Sequence, residues 1–115
     1  MTSQEVLMVR AYLTEGGRQF KALIRYLHDD SKVQGVTVFR GITGFGKSGH
    51  VHSSTLLDMS LDLPVVIEFF DKPERAKPII EHLNHFLEPG HVVYWPARVN
   101  IDLQLSEPNN RLKTV

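Results

Sequence analysis

The sequence predicts an α+β fold in the order βαββαβ, an antiparallel four-stranded sheet with two helices on one face. Four stretches rich in Val, Ile, Leu and aromatic residues have strand length, and two stretches carry apolar residues at helical spacing. Along the chain they run strand, helix, strand, strand, helix, strand, the order of a two-layer sandwich. At 115 residues there is material for one hydrophobic core, so residues 1–115 read as a single domain with its core over about residues 5–101.

The first strand is Val6 to Leu13, closed by Thr14, Glu15, Gly16 and Gly17. From Arg18 the spacing changes: Phe20, Leu23, Ile24 and Leu27 stand at i, i+3, i+4 and i+7, one stripe of a helix that ends between His28 and Ser31. Gly35 opens a second strand, Val36 to Thr43, broken by Gly44, Gly46 and Gly49. Residues 47–62 keep no sustained period. They are polar and carry several Ser and His, which predicts a long functional or mobile loop.

Pro64 starts a third strand running from Val65 to Phe70, and Asp71 stands where a helix N-cap is wanted before Pro73. The second helix has its apolar stripe at Ile79, Ile80, Leu83, Phe86 and Leu87. Pro78 lacks an amide hydrogen, so the regular helix is expected to begin near it or to kink there. Glu88, Pro89 and Gly90 end that helix, and His91 to Ile101 form the fourth strand. Pro96 inside it implies an edge position or a bulge. The tail, about residues 102–115, is expected to be loose because Pro108, Asn109 and Asn110 offer neither period nor core material. The whole arrangement is ferredoxin-like.

A sheet wetted on one side alternates apolar and polar residues, yet strands one, three and four are apolar at nearly every position. The face away from the helices therefore needs a cover. No third layer is left in 115 residues, so the economical cover is another subunit, and the strand pattern predicts an oligomer.

Composition removes several function classes. Lys+Arg 13 against Asp+Glu 13 gives no net charge, without the basic excess of a nonspecific nucleic-acid binder. The absence of cysteine rules out disulfides, thiolate metal sites and a Cys nucleophile. No N-terminal segment resembles an export signal, and the apolar runs fall far below the ~20 residues that cross a bilayer, so no membrane insertion and a cytoplasmic location are expected.

Residues 41–48, Gly41 to Ser48, fit the phosphate-binding expression G-x-x-x-x-G-K-[ST]. That chemistry needs a helix starting at Lys47 and Ser48, with amides and dipole facing the phosphates. Gly49 followed by His50, Val51 and His52 makes a poor helix start, so a hydrolase is not the preferred reading. Two others stay open. The glycines can merely let strand two twist and turn, with Lys47 a solvated charge. Alternatively, exposed glycine amides with Lys47 and Arg40 hold a small anion without hydrolysing it.

The run Gly44-Phe45-Gly46-Lys47-Ser48-Gly49-His50, together with the order of elements, resembles the base of the T-loop in PII signalling proteins. It is most similar to their relatives in the domain of unknown function 190 family, whose typical run looks like Val36 to Ser54 followed by Leu61 to Glu68. The resemblance covers roughly Val6 to Ile101. It implies a homotrimer with its sheets turned inward and a ligand cleft between neighbouring subunits, holding an adenine nucleotide in PII proteins. Carried over by position, Gly44, Gly46 and Lys47 meet the phosphates, while Pro89, Gly90 and His91 correspond to the loop before the last strand. His91 stands where PII proteins usually place a lysine. The tail after Pro96 lacks the arginine-rich pattern with which PII proteins help hold nucleotide phosphates, and only Arg98 stands nearby. The loop from Lys47 to Leu61 contains no tyrosine, so uridylylation is not expected.

Several further residues carry chemistry of their own. His50 and His52 alternate on an extended segment and point the same way, as a weak divalent-metal pair does. His82 and His85, at i, i+3 on the second helix, read as surface residues. Glu68 inside an apolar strand requires a partner, and Arg10 and Arg40 are the candidates. Tyr94 and Trp95 are suited either to stacking on a base or to packing at an interface. The function implied is a non-enzymatic PII-like regulator that binds a small anionic ligand, an adenine nucleotide being the candidate, through Arg40, Gly44, Phe45, Gly46, Lys47, Ser48, His50, Pro89, Gly90 and His91. Its loop would then be shown to a target protein, membrane transporters being among the targets of PII relatives. The alternatives are a divalent-metal-binding CutA-like trimer and a nucleotide hydrolase.

Overall fold

The computed structural model describes residues 2–46, 49, 51–53 and 63–102. Its elements are β1 (Ser3–Thr14), α1 (Arg18–Arg25) continued by a π-helical segment (Tyr26–Ser31), β2 (Val36–Arg40), β3 (Thr43–Phe45), β4 (Val51–Ser53), β5 (Pro64–Asp71), α2 (Pro73–Phe86) and β6 (Val92–Asn100). Four of the strands form one antiparallel sheet in the order β2-β5-β1-β6, and β3 and β4 pair separately. The α+β sandwich expected from the sequence is thus present, with a hairpin added between its second and third main strands.

The pleat sorts the apolar runs onto two faces. Leu7, Val9, Ala11 and Leu13 of β1 and Val65, Ile67 and Phe69 of β5 face the helices and form one cluster with Leu23, Leu27, Ala76, Ile79, Ile80, Leu83 and Leu87. Full burial of a side chain such as Leu23 or Leu83 stabilises by roughly 1.5–3 kcal/mol over leaving it in water. Phe20 and Ile24, on the same helical stripe, pack partly buried against that cluster. Pro96 sits on β6 at the edge of the sheet, as a residue without an amide hydrogen should.

Four expectations need correction. The second strand ends at Arg40 rather than Thr43. The Gly41 N–H donates to the Pro64 carbonyl at 2.7 Å, and a Cβ on Gly41 would lie 2.9 Å from Pro64 Cγ, so the chain turns where only glycine fits. Residues 43–45 then leave the sheet to pair with 51–53, inside what read as a loop.

Asp71 ends β5 and does not cap the second helix, whose N-cap is Lys72. Its carboxylate accepts the Lys72 N–H at 2.8 Å and Arg75 Nε at 3.0 Å. Nor does the helix begin near Pro78: it starts at Pro73 and runs through Pro78 as one element. Lys72 accepts the first amides, those of Arg75 and Ala76, and burial of Ala76, Ile79, Ile80 and Leu83 outweighs the one helical bond that proline cannot make.

Candidate functional site

Antiparallel pairing brings four strand termini to one end of the sheet. Thr14 lies opposite Pro64, Arg40 opposite Val65, and Ala11 opposite Val92, so the ends of β1 and β2 stand beside the starts of β5 and β6. The described residues of the expected site stand along this end, divided between its two sides.

Arg40, at the end of β2, forms an ion pair with Glu15 in the turn after β1. The Arg40 side chain is 60% exposed, whereas that of Glu15 is only 16% exposed, and Glu15 Oε2 is buried without a hydrogen-bond partner. Two backbone bonds brace the pair: the Glu15 N–H donates to the Leu63 carbonyl at 2.7 Å, and the residue after Arg40 bonds Pro64.

Beyond Gly41 the chain rises into the β3–β4 hairpin, with Gly44 opposite His52 and Phe45 opposite Val51. The Gly49 N–H returns to the Gly46 carbonyl at 2.9 Å, closing a turn with Gly49 at φ 78°. This is strand, turn, strand, whereas a phosphate-binding NTPase loop leads from its glycines into a helix. Phe45 is 76% exposed and Gly46 is exposed as well. Lys47, Ser48 and His50, like most of the 47–62 loop and the tail from residue 103, lie outside the described residues. For His52 only its strand position is described.

The second half of the expected site lies before β6. Pro89 and Gly90 form an exposed turn, Gly90 at φ 93°. His91 Nδ1 lies 2.8 Å from the Tyr12 carbonyl, so Nδ1 carries the hydrogen and donates it, and Nε2 remains as the ring's other polar atom. The Tyr12 N–H in turn donates to the His91 carbonyl at 2.8 Å.

These two halves do not meet within one copy. Arg40 and the hairpin hang from β2 at one edge of the sheet, and the 89–91 turn leads into β6 at the other edge. Three strand spacings separate the edges, roughly 14 Å.

Glu68 finds its partner in Arg10, not Arg40, on the sheet face away from the helices. Around that pair lie Met8, Tyr12, Phe39, Val66, Phe70, Val93 and Trp95, the second apolar face that the strand pattern announced. The Arg10 proton is held more tightly than usual, first by hydrogen bonding to Tyr12 and then by Glu68. Tyr94, opposite Val9, points to the helix side and Trp95 to the other, so the two aromatics do not act together. His82 and His85 are exposed as expected, His82 stacking on Tyr26 at 4.0 Å between ring centroids. Among the described residues no three His, Asp or Glu side chains gather in a metal-binding group. No helix among them is long and apolar enough to cross a membrane.

Sequence reasoning missed Glu15, which read as part of a turn. Its one signal was an acidic residue directly before two glycines at a strand end.

Residues 6–99 match the model of a protein family, DUF190, described as "Uncharacterized ACR, COG1993". The chain belongs to the DUF190 family. A UPF0166 protein of Aquifex aeolicus is 35% identical over 66 residues, 55% of this chain and 63% of that relative, so the match spans somewhat less than two thirds of the relative's length. Among solved structures, the PII-like protein CPII of Thiomonas intermedia K12, bound to ADP, AMP and bicarbonate, superposes with a TM-score of 0.64 at 19% identity, covering 87% of this chain and 91% of that one. A PII-like signaling protein of Thermus thermophilus gives a TM-score of 0.60 at 17% identity, covering 86% and 91%. At such identities the likeness establishes the fold, and this DUF190 chain has the PII-like one.

Proposed function

We propose that this DUF190 chain is a PII-like regulatory protein, one domain over its 115 residues, that binds an adenine nucleotide or a related small anion between subunits. The observation that carries the reading is the division of the candidate site between the two edges of the sheet. A hairpin bearing Gly44, Phe45 and Gly46 beside Arg40 belongs to one edge, and Pro89, Gly90 and His91 to the other. A neighbouring copy supplies the missing half when the apolar sheet faces turn inward, and a homotrimer closes such an arrangement without leaving a face unpaired. CPII, which shares the fold, is bound to ADP, AMP and bicarbonate, which supports a nucleotide as ligand here.

In this reading Lys47, Ser48 and His50 line the cleft from the hairpin side and ligand binding orders the surrounding loop. The ordered loop presents a surface to a target protein, a membrane transporter being the candidate class. The protein does no chemistry on its ligand and works in the cytoplasm. Calorimetry with ADP, AMP and ATP, with and without bicarbonate, tests the reading. Saturable binding of a nucleotide by an oligomer is the expected result. Absence of binding at millimolar ligand, or release of phosphate from ATP, would overturn it.

A further inference from the structure

Arg40 was expected to offer its charge to a ligand, yet in the structure that charge is already taken by Glu15. The two members of the pair are not equivalent. Arg40 stands at the lip, 60% exposed, and can turn to solvent or to a ligand. Glu15 is 16% exposed, and its second oxygen is buried with no hydrogen-bond partner. The bond from its own N–H to Leu63 holds its backbone in place, so the carboxylate has little room to follow Arg40 outward.

We infer that Glu15 is a built-in competitor anion that holds Arg40 in a neutral pair, so that the site is occupied by anions able to displace it, phosphate groups, and not by singly charged carboxylates. An incoming anion that draws Arg40 away strands Glu15 as an unpaired, nearly buried charge, a state that is costly because burial strips the carboxylate of water. A phosphate dianion offsets this with two charges and oxygens spaced for both guanidinium nitrogens. A small carboxylate brings no more than Glu15 already gives, so exchange gains it nothing. The inference rests on the proposed anion site at this end of the sheet and adds to it the class of anion selected.

The test is calorimetry of the full chain with inorganic phosphate, ADP and acetate, comparing the native protein with Glu15→Gln and Arg40→Ala. Glu15→Gln keeps the shape and backbone bonds and removes the competing charge. It should raise the affinities for acetate and for phosphate, each by at least about tenfold, while Arg40→Ala should weaken phosphate by at least about tenfold. Thermal melting establishes that each variant is folded, and the resonances of the Arg40 guanidinium report whether its partner has been lost. A native protein that ignores ADP while Glu15→Gln gains phosphate and acetate binding supports the competitor role and sinks the nucleotide reading. If Glu15→Gln leaves the phosphate and acetate affinities unchanged, or weakens both, Glu15 is no competitor. The same holds if it binds neither anion.

Discussion

Arg10 on β1 and Glu68 on β5 stand directly opposite each other and close an ion pair of 2.8 Å, Nε to Oε2, on the sheet face turned away from the helices. The Arg10 guanidinium also lies 5.9 Å from the centroid of Phe39 and 5.6 Å from that of Trp95. One side chain of β1 thus touches β2, β5 and β6, so a single cation ties together all the strands of the main sheet. A neutral pair set among aromatic rings leaves the face uncharged overall, which suits it to meeting a copy of itself.

If that face is covered in the oligomer, losing one member of the pair is worse than losing both. Glu68→Leu alone leaves Arg10 unpaired in the interface and should raise the subunit dissociation constant by at least about tenfold, and adding Arg10→Met should restore most of the loss. Sedimentation across a concentration series reads both. A native protein that stays monomeric throughout the micromolar range would dispose of the covered face altogether.

Leu83 is fully buried where α2 lies on the sheet. Leu83→Ala should cost about 2–5 kcal/mol, through lost burial and the cavity left behind. Urea unfolding followed by circular dichroism measures it, and a loss below about 1 kcal/mol would mean that α2 is not seated on the sheet in this way.

Gly41 and Gly46 differ in what a methyl group would meet. At Gly41 it falls 2.9 Å from Pro64 Cγ and 3.3 Å from the Pro64 carbonyl, whereas at Gly46 nothing lies within 4 Å. Gly41→Ala is therefore expected to destabilise by about 1–3 kcal/mol and Gly46→Ala by under about 0.5 kcal/mol. Equal melting temperatures for the two variants would contradict the close approach at the hairpin root.

Tyr26, stacked on His82, has its hydroxyl pushed above the ordinary value of 10.0, by burial first and by the Asp30 charge second. A raised value means the folded state keeps this proton over a range where the unfolded chain has lost it. The contribution to stability is complete below about pH 10 and is lost as pH rises through the higher folded value. Denaturant midpoints should fall more steeply above pH 10 for the native chain than for Tyr26→Phe, and parallel slopes would refute the assignment.

Much of the strand content was legible because β1 and β5 are so rich in branched and aromatic residues that little but a sheet accommodates them. The edge position of β6 was readable from Pro96 for the same kind of local reason. The helix through Pro78 was not, since the missing amide bond is local while the burial of Ile79, Ile80 and Leu83 that offsets it comes from the sheet. The short hairpin escaped notice because three-residue strands carry too few side chains to show a period, and glycine made the segment look like a plain turn. At the candidate site, glycines and charges could be named from sequence but not paired. Glu15 and Arg40 are 25 residues apart, and either could have faced water.

By itself the amino-acid order determined the α+β class, the helix stripes and the doubly apolar strands, because these depend on spacing within a few residues. Only the tertiary structure decided that Arg10 pairs with Glu68, that Arg40 is already engaged by Glu15, and that the two halves of the candidate cleft lie on opposite edges of one sheet. Those outcomes follow from strand order and register, which are set by the packing of the whole core and leave no mark on any short stretch of chain.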